Sequence, residues 1–529
     1  MSGSMDKSVD EVQKEHYASA GPSSKLAVPP ELIVSQLAAL DTTPWYQKPN
    51  LRMLYFILFP TCIGVEMTSG YDSSMMNGLQ VVNSWDTFYH HPRSVLLGVM
   101  SAMYSAGAIC SLPLVPLVAD RLGRRWSIIT GSLVMIVGAI LQTASQDFAM
   151  FVVARFVLGF GIPFAIVGGS SLLGELGHPK ERAILGSLFN ACYFIGAIVA
   201  AGVTFGTFQM STNWGWRIPS LLQVCPSLLQ ITFVAFLPES PRWLISKGRG
   251  DEARAILIKY HAEGDETSEF VKAEYVQIET TLELEKEAKK VGWRDLLRTS
   301  GMRRRILVGS FLGLATQWSG NGLTSYFLGR ILENVGITSN HTKNLVNLAI
   351  SIWGFINASI LALTMSRFKR RTVYLSCTIS MLVVFTAWTI ASAKYAMDQD
   401  KASSKAVIAP AYNMAYNALT YTFLVELFPF HVRSKGITIF QWFSRMAGFF
   451  NQFVNPIGIA NAGWKYYVSY CIFLLFEVIF IFFLFPETSG RSLEELAFLY
   501  EGDELQKQKQ RVEEEIRNPD AGFSKEKDI

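Results

Sequence analysis

Charge is what this sequence has least of. Asp, Glu, Lys and Arg make up 17% of its 529 residues, against about 25% in soluble domains. Half of the residues are hydrophobic and the mean hydropathy is +0.25. A water-soluble globule is thereby excluded, and lipid is the expected solvent. Cysteine is scarce as well. The six present (Cys62, Cys110, Cys192, Cys225, Cys377 and Cys471) all sit within apolar runs and form no CxxC pair. That excludes a disulfide framework and a cysteine metal site, and leaves small buried hydrophobes. No phosphate loop, metal cluster or nucleophile–base arrangement stands outside the apolar runs. An enzyme is not expected, nor are catalytic residues, a cofactor, a metal or a nucleic-acid partner. No cleavable signal peptide is visible. Residues 1–50 are polar and read as a disordered cytoplasmic tail, as do those from about 503 onward.

Long apolar runs are what the chain has instead. A spanning helix needs roughly 20 mainly apolar residues. Twelve candidates start near residues 52, 94, 126, 148, 183, 217, 303, 342, 372, 405, 434 and 463. The tenth and eleventh are the weakest, because Asn413, Asn417, Gln441 and Arg445 interrupt them. Basic clusters fall on one side: Arg121, Arg124 and Arg125, then Lys180 and Arg182, Arg303 to Arg305, Arg367 with Lys369 to Arg371, and Arg433 with Lys435. The positive-inside rule places both termini in the cytoplasm, although Lys394, Lys401 and Lys405 blur the pattern in one outer loop. Asn340-His341-Thr342 is a glycosylation sequon in an outer loop, a triplet also common by chance. Asn357-Ala358-Ser359 matches too, but within a span, where it should be silent. The expected organisation is an N-terminal tail (1–50), a six-helix bundle (51–237), a charged helical linker in the cytoplasm (238–302), a second six-helix bundle (303–486) and a C-terminal cytoplasmic tail (487–529).

The two bundles repeat one another. Asp120-Arg121-Leu122-Gly123-Arg124-Arg125 returns as Ser366-Arg367-Phe368-Lys369-Arg370-Arg371, an offset of 246. Glu175-Leu176 with Arg182 returns as Glu426-Leu427 with Arg433, an offset of 251. Pro238-Glu239-Ser240 returns as Pro486-Glu487-Thr488, an offset of 248. Polar signatures recurring in one order between apolar runs are the mark of many secondary transporters.

With these motifs the chain resembles the sugar porter family of the major facilitator superfamily. The stretches are GYDSSMMNG at 70–78, DRLGRR at 120–125, RFVLGFG at 155–161 and ELGHPKERA at 175–183. PESPRWL at 238–244, QWSGNG at 317–322, ELFPFHVRSKG at 426–436 and PETSGRSLEEL at 486–496 continue the match. The resemblance covers about residues 50–500. QWSGNG and FFNQFVNPIG at 449–458 are similar to the fungal lactose-permease and cellodextrin-transporter branch. The sequence departs from the family at Pro116, at Ser366 and Lys369, at Asn417-Ala418 and at Tyr421. The resemblance implies an all-α membrane protein with the major facilitator fold, carrying a sugar and a proton through the bilayer of the cell membrane as a functional monomer.

Charges within spans are functional-site hypotheses by default, and the exceptions here are Asp72, Arg155 and Arg445, with Glu66 harder to place. By resemblance, Asp72 and Arg155 form the proton-coupling pair; the alternative is that Asp72 sits wetted at the outer mouth. The resemblance also implies a cytoplasmic gate of Asp120, Arg121, Arg124, Glu175, Arg182, Glu239 and Arg242, with Glu426, Arg433, Glu487 and Arg491. The plainer alternative is that these charges only set topology. Carried over by position, Asn190, Gln317, Asn321, Tyr326, Tyr421 and Asn451 would hold sugar, since amides donate and accept as hydroxyls do. For any one amide the alternative is an interhelical hydrogen bond. Gln441-Trp442 lies one helical turn early for the family's eleventh-span pair. Proton-coupled sugar import, of a disaccharide such as lactose or cellobiose or of a hexose, is the leading expectation. A uniporter, a porter for another polyol, glycoside or secondary metabolite, and a sugar sensor are the rivals.

The topology is testable directly. An epitope inserted near Asn340 should be labelled on intact cells, and one near Lys286 only after permeabilisation; the opposite pattern would reverse the orientation.

Overall fold

The computed structural model describes residues 34, 36–38, 40–288, 296–334, 336–364, 369–398, 420, 423–424, 426–428 and 432–488. Its first half runs α1 (Pro49–Leu79), α2 (Asn83–Phe88), α3 (Ser94–Ser111), α4 (Val115–Arg121), α5 (Arg124–Thr143), α6 (Phe148–Leu176), α7 (Arg182–Thr207), α8 (Trp214–Leu222) and α9 (Val224–Val234). Three linker helices follow: α10 (Pro241–Ser246), α11 (Gly250–His261) and α12 (Glu269–Ala288). The second half contains α13 (Ser300–Trp318), α14 (Asn321–Asn334), α15 (Asn340–Thr364), α16 (Arg370–Asp398), α17 (Arg433–Ala462) and α18 (Lys465–Leu484). Eleven of the expected spans fall on these helices, and most of the tenth lies outside the described residues. Among the described residues seven helices are long and apolar enough to cross a membrane: α1, α3, α5, α6, most of α7, α16 and α18. Large apolar side chains such as Phe236, Val383, Ile472 and Phe483 point outward, as a lipid-facing wall requires.

The spans that break do so where the sequence forbids a continuous helix. Proline clashes with the carbonyl four residues earlier and lacks the amide hydrogen to bond it. Pro226 therefore ends α8 at Leu222, and Gln223 sits in the gap before α9. Pro116 lies in the first turn of α4, after the second span has broken at Leu112–Leu114. The seventh span breaks at Ser319-Gly320, where Gly320 has φ +99°, a conformation side chains other than glycine rarely adopt. Between α1 and α7 the backbones approach closely enough that a Cβ at Gly70 or Gly196 would strike the facing main chain, the small-residue packing typical of membrane helices.

The two ends of the molecule differ. Away from the linker the halves are pinned together by Asn77 to the Thr324 carbonyl (3.1 Å), Gln80 to the Tyr326 carbonyl (2.6 Å), Asn347 to Ser74 (3.2 Å) and Asp86 to Arg330 (3.6 Å). At the other end the linker clamps the first half. The Glu263 carboxylate accepts from the amides of Asn50 and Leu51, both at 2.9 Å, and so caps α1; the anion suits the positive end of a helix. Trp243 donates its indole N–H to the Asp120 carbonyl at 3.0 Å. His261 is buried between the Glu274 carboxylate (2.7 Å from Nδ1) and the Leu176 carbonyl (3.2 Å from Nε2). Both partners are acceptors, so both ring nitrogens must donate and the imidazole is charged.

Burial alone would lower the pKa of His261, but the Glu274 carboxylate outweighs it and the net shift is upward. Burial likewise opposes the ionised Glu274, and the charges of His261 and Arg182 bring it below its ordinary value. A raised histidine contributes stability that is lost as pH rises through its folded pKa. A lowered carboxylate contributes stability lost as pH falls through its own. Linker docking should therefore be firmest between the ordinary values of 4.5 and 6.5 and weaken at alkaline pH. His261→Gln should loosen α11 and α12 by about 1–3 kcal/mol at pH 6, the cost of an unsatisfied buried group, and by less at pH 9. Hydrogen exchange of the linker helices across pH measures this; identical protection in wild type at both pH values would mean a neutral His261.

Candidate functional site

The site is built on α1. Asp72 and Arg155, from α1 and α6, form an ion pair with both side chains 0% exposed. Gln223, presented by the break between α8 and α9, donates to Asp72 Oδ1 at 2.9 Å. Arg155 Nε donates to the Met100 carbonyl at 3.3 Å, and its guanidinium lies 5.0 Å from the centre of the Tyr104 ring. Asp72 Oδ2 and Arg155 Nη2 are buried with no hydrogen-bond partner among the described residues. Asp72 is thus bonded through Oδ1 to Arg155 and Gln223, while its other oxygen, Oδ2, is buried without a partner among the described residues. The sequence brought Asp72 and Arg155 together. It missed Gln223, Tyr104 and the Met100 carbonyl, and only Pro226, four residues after Leu222, signalled that Gln223 leaves its helix.

The expected sugar ligands divide. Asn190, half-buried on α7, makes no hydrogen bond to the described residues. Gln317, in the last turn of α13, donates to Ser444 Oγ at 3.4 Å. Tyr326 lies on α14 within the electrostatic reach of Tyr193, Asp72 and Tyr104. Asn451 is engaged at both ends. Its amide donates to the Gln317 carbonyl at 2.8 Å, and its oxygen accepts from Tyr470 at 2.8 Å. That is the interhelical role, fixing α17 to α13 and α18. Asn321 opens α14, with its side chain outside the described set, and Tyr421 lies outside it altogether. Asn340 opens α15 on the side away from the linker and donates to Asn83 Oδ1 at 3.2 Å.

The charged motifs form two matching knots at the linker end. In the first half Arg124 grips Glu175 through two bonds, at 3.0 and 3.1 Å. Glu239 accepts from the backbone amides of Arg124 (3.1 Å) and Arg125 (3.3 Å) and so caps α5. Burial raises the Glu239 pKa even though these amides and that of Ser240 oppose it. Asp120 is exposed, 4.0 Å from Arg124. In the second half Arg370 pairs with Glu426 at 3.3 Å. Glu487 accepts from the amides of Arg370 (3.0 Å) and Arg371 (3.3 Å), capping α16. Each of these contacts lies within its own half. Arg182 goes elsewhere: it faces Glu274 of the linker at 3.6 Å, so the Glu175-to-Arg182 spacing that drew attention to it does not describe a contact. Arg121 is exposed at the end of α4 and Arg242 lies on α10. The Arg433 side chain and Arg491 are outside the described set.

Comparison with known proteins identifies the family and the fold. Residues 57–500 match the family model described as sugar (and other) transporter. The high-affinity glucose transporter of Kluyveromyces lactis is 28% identical over 477 residues, covering 85% of this chain and 86% of its own. The MFS-type transporter oryC of Aspergillus oryzae is 25% identical over 487 residues, covering 86% of this chain and 90% of its own. Among solved structures, the proton:xylose symporter XylE of E. coli superposes with a TM-score of 0.69 at 21% identity, over 85% of this chain and 100% of that one. The fold is therefore the all-helical major facilitator fold.

Arg124→Ala and Glu426→Ala should each leave folding and targeting largely intact, since partly exposed ion pairs contribute only about 0–1 kcal/mol. Transport should nevertheless fall at least tenfold, because each substitution loosens a half that must move as one piece. Normal rates in both variants would return these residues to a purely topological role.

Proposed function

Because the chain belongs to the sugar (and other) transporter family of the major facilitator superfamily, we propose that it imports a sugar across the plasma membrane by proton symport and alternating access. It is a carrier and not an enzyme. The observation that carries the symport reading is the fully buried Asp72–Arg155 pair. Removing one partner of such a pair leaves an uncompensated charge in a low dielectric, which is strongly unfavourable. A proton on Asp72 removes its charge and leaves the Arg155 cation with only the Met100 carbonyl and the Tyr104 ring that it already contacts, which drives the helices to rearrange around it. Protonation and release of the arginine are thus one event, and a preference of each access state for one protonation form couples the proton to the sugar. Gln223 donates to Asp72 Oδ1 and holds the carboxyl group in place beside Arg155.

Residues 1–50, 238–302 and 487–529 lie in the cytoplasm in this reading. Asn190, Gln317 and Tyr326 contact substrate, and the protein works as a monomer. The resemblance to the lactose-permease branch favours a disaccharide. The glucose transporter of Kluyveromyces lactis favours a hexose instead, and the proton:xylose symporter XylE supports coupling to a proton. A membrane potential supplies about 2.3 kcal/mol per charge per 100 mV, enough to concentrate a neutral sugar many-fold.

Asp72→Asn keeps the shape of the protonated side chain and removes the titration. Labelled D-glucose, lactose and cellobiose should each be offered to transporter-deficient yeast, with and without a protonophore. Wild type should accumulate at least one of them and alkalinise the medium. The variant should lose accumulation while still exchanging sugar across the membrane. Equal protonophore-sensitive accumulation by both would remove Asp72 from the coupling role, and equilibration without accumulation by wild type would leave a uniporter.

A further inference from the structure

A ladder of amides joins the halves at the end away from the linker, and one of its rungs is incomplete. Asn340, Asn344 and Asn347 of α15 are spaced four and three apart and so share one helix face. Both ends of that run meet the first half. Asn347 donates to Ser74 at 3.2 Å and accepts from Asn77 at 3.4 Å, while Asn340 donates to Asn83 at 3.2 Å. Asn344 lies between these fixed contacts, opposite the stretch that runs from Asn77 to Asn83 and carries Gln80. The Gln80 amide nitrogen is tied to the Met76 and Tyr326 carbonyls, at 2.9 and 2.6 Å. Lys343, beside Asn344 in the chain, is committed to Glu333 at 2.7 Å. Asn344, Asn77 and Gln80 are 1%, 3% and 5% exposed. Yet four of their polar atoms have no hydrogen-bond partner among the described residues: Asn344 Nδ2 and Oδ1, Asn77 Oδ1 and Gln80 Oε1.

Buried amide atoms left unpaired are unfavourable and uncommon, so a group that both donates and accepts belongs at this rung. Three acceptor oxygens and one amide donor suit hydroxyl groups, which do both. The rung also lies between the two halves, where a carried solute passes. Along α1 it is five to eight residues beyond Asp72, about 8–12 Å at 1.5 Å per residue. Gln80 holds the backbone of Tyr326, an expected sugar contact. We propose that Asn344, Asn77 and Gln80 form a second sugar subsite, away from the linker, which takes a hydroxyl of the substrate as that end closes. This rests on the sugar-import reading above and names the residues that test the sugar's hydroxyl pattern. With the subsite empty, closure seals four polar atoms from water unpaired; a bound hydroxyl removes that penalty. The loaded carrier therefore closes this end more readily than the empty one. A solute lacking the hydroxyl leaves the penalty in place, and that is the source of selectivity. Water and a sugar hydroxyl share this chemistry, and the test separates them.

The test uses the full chain in proteoliposomes, measuring counterflow of whichever of D-glucose, lactose and cellobiose the wild type carries. The monodeoxy derivatives of that sugar, each lacking one hydroxyl, serve as competitors. Against wild type, at least one derivative should compete about three- to tenfold more weakly than the parent sugar, as loss of one hydrogen bond does. Asn344→Leu should raise half-saturation for the parent by a similar factor and should no longer distinguish the parent from that derivative. Asn344→Ala, read in the same way, serves if the leucine variant does not fold. Half-saturation within twofold of wild type overturns the proposal. So does an equal loss for the parent and every derivative, the result if water alone fills the rung or if Asn344 only holds the halves together. If wild type exchanges none of the three sugars, the sugar reading itself fails and the subsite falls with it; silent variants of an active carrier remove the subsite alone.

Discussion

An ion pair with no access to water tolerates few other arrangements, and Asp72 with Arg155 imposes that limit on the first half. Ionised groups taken from water into a low dielectric must be paired and hydrogen-bonded or lose their charge. The surrounding helices are shaped to meet that demand. The proline break after Leu222 frees Gln223 to donate to Asp72, α3 turns the Met100 carbonyl toward Arg155, and Tyr104 lays its ring beside the guanidinium. Close backbone contact at Gly70 holds this stretch of α1 against α7 while leaving one oxygen of Asp72 unbonded.

The two linker-end knots apply the same chemistry in softer surroundings. Arg124 with Glu175 and Arg370 with Glu426 are partly exposed, with side-chain exposures of 15–17%. Their strength lies in the third member, since Glu239 and Glu487 each bind two amides at a helix start, where the helix dipole favours an anion. Each knot therefore ties a helix entry to a neighbouring helix end inside one half. The halves meet at the opposite end through Asn77, Gln80, Asp86 and Asn347, and further along through Ser105, which donates to Gln452 at 2.7 Å where α3 packs on α17.

How much of this could be read from the sequence depended on whether the information was local. The Asp72–Arg155 pair was legible because lone charges in apolar runs must find each other. The knots were legible because the motifs recur. Contact partners were less so. Arg182 follows Glu175 by seven residues, as Arg433 follows Glu426, yet Arg182 faces the linker, where α12 docks. Asn451 looked available for sugar, but Tyr470 and the Gln317 carbonyl occupy it; nothing in the sequence fixes how α17 and α18 are rotated. His261 sat in a stretch that reads as an ordinary solvated helix, and its burial against Leu176 and Glu274 arises only from tertiary packing.

The cap on α1 bears on how the molecule is made. A growing chain emerges from its amino end, and the first span is synthesised long before residue 263 exists. The amides of Asn50 and Leu51 find their carboxylate only when Glu263 arrives, after every helix of the first half has left the ribosome. Until then the entry of α1 has no partner on the protein and can remain wet. The entry of α1 is therefore capped only once the linker that carries Glu263 has been made.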